Sequence, residues 1–77
     1  MAISYNMDDV QYLQKLGEKI VAIRKSKKLS QQDLAHECGM DKPNLRKLEK
    51  GKGNPTVKTL LRLSKALEID PKDLLDF

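Results

Sequence analysis

Lys42, Pro43, Asn44, Arg46, Lys47 and Lys50 are gathered within one stretch, QQDLAHECGMDKPNLRKLEK (31–50), where Leu45 and Leu48 are spaced for one face of a helix. On that spacing Pro43, Arg46, Lys47 and Lys50 fall opposite the leucines, flanked by Lys42 and Asn44. Ammonium, guanidinium and amide donors on one helix face suit phosphate oxygens and the acceptor-rich base edges of a DNA major groove. Lys42, Asn44, Arg46 and Lys47, toward the start of the helix, are the candidates for base edges. Lys50, at its end, is expected to reach only the backbone. Arg46 and Lys47 lead the list because their donors match the O6 and N7 acceptors of guanine. Pro43 has no donor and is assigned helix initiation and an apolar touch on a thymine methyl.

Such a face needs a scaffold, and the same stretch reads as two short helices, about 31–38 and 42–50, joined by a tight turn. Ser30 stands at the N-cap of the first with Asp33 three residues on, and Leu29 and Leu34 bracket it as a hydrophobic staple. Leu34, Ala35 and Cys38 form its apolar stripe, and Gly39 supplies the left-handed residue that stops it. Asp41 begins the second helix between Met40 and Leu45. Pro43 in the first turn gives up only an amide that has no helical partner.

Elsewhere the pattern is also helical. Val10, Leu13, Leu16, Ile20, Val21 and Ile23 predict a helix from about Asp8 to Lys27, in which Gly17 is the weak point at about 1 kcal/mol relative to alanine. A start near Leu16 is the alternative. Gly51 to Pro55 is a loop. Thr56 caps a fourth helix whose buried face is expected to hold Val57, Leu60, Leu61, Leu63 and Leu67. Asp70 caps a short last helix with Pro71 at its first position and Ile69 and Leu74 as its staple. The segment 1–7 lacks periodicity and reads as a flexible N-terminal arm.

At 77 residues the chain is one small domain, and its net charge of +4 is unevenly spread. The cations cluster in Lys15 to Lys28, against Glu18, and in Lys42 to Lys52, against Glu49. Two basic segments suggest a polyanion-binding face. Glu68, Asp70, Asp73 and Asp76 outnumber Lys72, so the C-terminal end should point away from nucleic acid. One cysteine excludes an intramolecular disulfide, and no apolar run has the length of a signal peptide core or membrane span. A cytoplasmic setting is expected.

Catalysis finds no constellation. His36 has no carboxylate or nucleophile partner in the pattern and no cysteine or histidine at metal-ligand spacing, so it reads as a surface residue. Cys38 reads as a small core hydrophobe. No metal, cofactor or small-molecule ligand is implied, and the aromatic residues are too few for a single-strand stacking platform.

The run LSQQDLA at Leu29 to Ala35, Gly39, LEKG at Leu48 to Gly51, NPT at Asn54 to Thr56 and the approach IRKSKKLSQ from Ile23 resemble the helix-turn-helix domain of the Cro and phage-repressor (Xre) family, over Leu16 to Asp73. The resemblance implies an all-α, compact five-helix bundle over 8–77. It implies that Arg24 and Glu49 form a structural, partly buried ion pair, which accounts for a lone acid inside a basic segment. It implies that Gln31 touches the DNA backbone. Gln31 and Gln32 also open a helix whose free amides can hold a phosphate oxygen. Lys28, Lys52 and Asn54 complete the expected backbone contacts. Lys42 and Pro43 depart from the Gln, Ser or Arg common in the family at the start of the recognition helix, so the base code is not carried over.

The function expected is sequence-specific binding of double-stranded DNA as a transcriptional regulator, as a symmetric homodimer on a pseudo-palindromic operator. Leu74, Leu75 and Phe77 are the candidates for the dimer contact, unless they close the core against the first helix. The alternative is a protein-interaction adaptor or antitoxin-like module on the same fold, which would present an exposed apolar patch on the second motif helix.

Overall fold

Asp8 opens the first helix through a reciprocal cap: its carboxylate accepts the Gln11 amide at 2.9 Å while Gln11 Oε1 accepts the Asp8 amide at 3.0 Å. That box starts α1 (Asp9–Ser26) well upstream of Leu16, its first buried apolar residue. The computed structural model describes residues 8–77, and the arm expected over 1–7 lies outside the described residues. Four further helices follow: α2 (Gln31–Cys38), α3 (Lys42–Glu49), α4 (Val57–Leu67) and α5 (Pro71–Leu74), with no strand among the described residues.

Local chemistry ends each motif helix where the sequence punctuates it. Ser30 Oγ accepts the Asp33 amide at 2.9 Å, and Asp33 Oδ2 accepts the Ser30 amide at 3.2 Å. The Ser30 amide and hydroxyl, with His36 nearby, hold the Asp33 carboxyl below its ordinary range. This cap is therefore intact at neutral pH and weakens as pH falls through the lowered value. Gly39 closes α2 at φ +68°, a left-handed conformation that lets the Met40 amide reach back to the Ala35 carbonyl at 3.0 Å. Asp41 Oδ1 then accepts the Asn44 amide at 3.2 Å and starts α3. Thr56 caps α4 through the Thr59 amide at 3.1 Å. Asp70 occupies the N-cap of α5 but makes no side-chain cap hydrogen bond, and its carbonyl instead accepts the Asp73 amide at 2.9 Å.

The core takes leucine or isoleucine from every helix: Leu16 and Ile20 of α1, Leu34 of α2, Leu45 and Leu48 of α3, Leu63 and Leu67 of α4, and Leu74 of α5. Each fully buried side chain of this size is worth about 1.5 to 3 kcal/mol. Leu74 is in the core, so of the three C-terminal residues expected at a dimer contact only Leu75 and Phe77 are exposed.

Two expectations are corrected by packing. The apolar pattern puts Val57 and Leu61 on the buried face of α4, but they are 72% and 43% exposed, because the stripe that meets the core runs through Leu60, Leu63, Ser64 and Leu67. Val57 and Leu61 lie to one side of it at helical spacing. Gly17, read as a weak point, is a requirement. It is buried where α1 crosses the end of α3, and a Cβ there would stand 2.5 Å from the Leu48 carbonyl oxygen and 2.6 Å from that of Glu49. Those are backbone atoms and cannot swing aside. The missing side chain is what lets α1 and α3 touch.

Candidate nucleic-acid interface

Lys42, Asn44, Arg46 and Lys47 are all exposed on α3, together with Pro43 and Lys50, while Leu45 and Leu48 on the inner side are buried. None of the exposed large hydrophobic residues lies on this helix. Among the described residues no carboxylate pairs with its cations, and the acid within it, Glu49, is turned inward onto Arg24. The outer surface of α3 is therefore a continuous array of free donors.

Around this helix the fold gathers most of the other candidate contacts. Asn54 of the α3–α4 loop shares an open cleft with Asn44 and Lys47, whose floor is Met40, Leu48 and Pro55. Lys52, in the same loop, and Lys28, in the connection before α2, are exposed. Lys28 sits in the left-handed region at φ +59°, a position where a lysine has no conformational advantage over glycine and none of its neighbours explains the choice. Gln31, the first residue of α2, is half-buried and already engaged by the end of α3.

That engagement belongs to a small polar network holding α3 from behind. Arg24 Nε donates to Glu49 Oε2 at 2.6 Å, and its Nη2 donates to Oε1 at 3.2 Å. The same guanidinium donates through Nη1 to the Leu29 carbonyl at 2.8 Å, tying in the connection that leads to α2. Gln31 Nε2 adds a third donor to Glu49, 2.7 Å from Oε1. The Arg24 and Glu49 side chains are 10% and 5% exposed, so the pair is desolvated, and its remaining hydrogen-bonding capacity is taken up by protein groups. The Gln31 bond spans 18 positions of sequence and left no local signal.

Cys38 is buried against the α4 backbone, its Sγ 3.9 Å from the Arg62 carbonyl. Burial, with Glu37 beside it, pushes its thiol up to about 11, so at neutral pH it is a protonated core residue. His36 is exposed. Among the described residues no group of three or more His, Cys, Asp or Glu side chains could hold a metal, and no helix is long and apolar enough to cross a membrane.

Comparison with known proteins adds an independent line. A family model described as Helix-turn-helix matches residues 20–74. Control protein C.BamHI of Bacillus amyloliquefaciens is 42% identical over 62 residues, covering 79% of this chain and 76% of that protein. The restriction-modification controller protein C.AhdI from Aeromonas hydrophila superposes with a TM-score of 0.79 at 35% identity, over 80% of this chain and 94% of that one. The wild-type controller C.Esp1396I superposes with a TM-score of 0.75 at 30% identity, over 82% of each chain.

Proposed function

Because the chain belongs to the helix-turn-helix family, of the Cro and phage-repressor (Xre) type, we propose that it is a sequence-specific regulator of transcription that lays α3 in the DNA major groove. The observation that carries this reading is the surface of α3: Lys42, Asn44, Arg46 and Lys47 stand free on the outer side of a helix anchored by buried Leu45 and Leu48. Lys50, Lys52 and Asn54 lie at the C-terminal end of that helix and, with the exposed Lys28 of the α1–α2 connection, supply phosphate contacts that set register. No catalytic step is assigned to any residue. The site of action is the cytoplasm, where such a protein meets its DNA.

An adaptor built on this fold would need an apolar docking patch on α3, and α3 has none. The exposed large apolar residues are elsewhere: Val10 and Tyr12 on α1, Val57 and Leu61 on α4, and Leu75 and Phe77 at the C-terminal end, where the Phe77 ring lies 6.0 Å from that of Tyr12. They are the candidates for contact with a second copy in a symmetric dimer, since one module of this size discriminates poorly against genomic competitors. Similarity to the controllers named above supports the narrower role of a restriction-modification controller.

Selection of bound duplexes from a random-sequence pool tests the reading. The expected product is a pseudo-palindrome, with protection of two half-sites about 34 Å apart, one helical turn of DNA. An unrepeated half-site bound by one chain removes the dimer from the account. No enrichment at all removes the DNA reading.

A further inference from the structure

We propose that Gln31 is a positioning residue for base recognition, which sets the attitude of α3 by holding Glu49. The inference rests on the DNA-binding reading. Glu49 is the last residue of α3, and its carboxylate is gripped from two other helices: by Arg24 of α1 through two nitrogens, at 2.6 and 3.2 Å, and by Gln31 of α2 through its amide, at 2.7 Å. The close passage of Gly17 against the Leu48 and Glu49 carbonyls fixes how near α1 can come. Arg24 and Gly17 belong to one helix. Gln31 is therefore the side chain of this network that ties α2 to the end of α3, complementing the short turn that joins their other ends.

The hydrogen-bond geometry carries this role. The bond is charge-assisted and is made to a carboxylate that is 5% exposed, where the low local dielectric strengthens it. The amide nitrogen carries two hydrogens, so the one engaged by Glu49 leaves the other for a further acceptor. The consequence for recognition is geometric: Arg46 and Lys47 lie within one turn of Glu49, so a change in how Glu49 is held displaces their donors relative to the base edges.

The test compares wild type, Gln31→Met and Lys50→Ala on one probe set. The set is the duplex that the wild-type chain enriches most from a random-sequence pool, together with its single-base variants. Methionine fills nearly the same volume, suits a helix and offers no amide, so the variant keeps its fold. The positioning role predicts that Gln31→Met narrows the affinity ratio between the enriched duplex and its single-base variants by about threefold or more, the scale of coupling between directly bonded side chains. Lys50→Ala should weaken all of them alike. If Gln31→Met weakens every duplex by one common factor, or changes nothing, the positioning role is overturned while the DNA reading stands. If the wild-type chain enriches no duplex, both fall together.

Discussion

Arg24→Ala and Glu49→Ala are each expected to lower the free energy of unfolding by about 3 kcal/mol or more, read from denaturant melts followed by circular dichroism. With side chains 10% and 5% exposed, neither partner has water to turn to when the other is removed. Loss of Glu49 leaves a buried guanidinium with only the Leu29 carbonyl as acceptor, and loss of Arg24 leaves a buried carboxylate with only the Gln31 amide as donor. An exposed pair of the same residues would be worth about 1 kcal/mol or less. For a domain whose total stability is on the order of 5 to 10 kcal/mol, the predicted loss brings the chain near the edge of folding. Replacing both together with apolar residues of similar size should cost much less than the sum, since no charge is then stranded. Midpoints close to wild type for both alanine variants would show that the pair is solvated and that α3 is held by its leucines alone.

Salt is expected to act on binding as strongly as these substitutions act on folding. Lys28, Lys42, Arg46, Lys47, Lys50 and Lys52 are exposed, and the acid among them, Glu49, is neutralised by Arg24. With roughly four to six phosphate contacts per monomer, a dimer releases enough counterions that raising salt from about 50 to about 200 mM should weaken it at least about a thousandfold. The prediction follows from where the charge sits, and the net value of +4 would be far too small a guide. An affinity that stays flat over that range would mean that the cations of α3 do not meet phosphates.

The elements that could be read from sequence are those whose cause is local. Ser30 with Asp33, Gly39, Asp41 and Thr56 each act within three or four residues, so the ends of α2, α3 and α4 follow from the residues that cap them. The identity of the outer face of α3 was legible for the same reason: Leu45 and Leu48 define its inside, and helical geometry then assigns the rest. What failed was set by distant partners. Gly17 looks like a flaw within its own helix and becomes a necessity only when the carbonyls of Leu48 and Glu49 arrive beside it. Val57 and Leu61 carry the apolar signal of a core residue, but which stripe of α4 meets the core depends on how α2 and α5 pack against it. Gln31 could be marked as functional from its place at the start of α2, whereas its bond to Glu49 exists only in the folded chain.

The central claim is that α3 reads bases with the residues near its start and touches only backbone at its end, and affinities of three variants for single-base changes of a selected operator test it most directly. Arg46→Ala and Lys47→Ala should each lose about 1 to 3 kcal/mol at particular base positions and relax preference there. Lys50→Ala, altered at the C-cap of α3, should weaken every sequence alike and lower the salt slope by about one. Uniform losses for Arg46→Ala and Lys47→Ala, together with a changed base preference for Lys50→Ala, would contradict this placement of α3 in the groove.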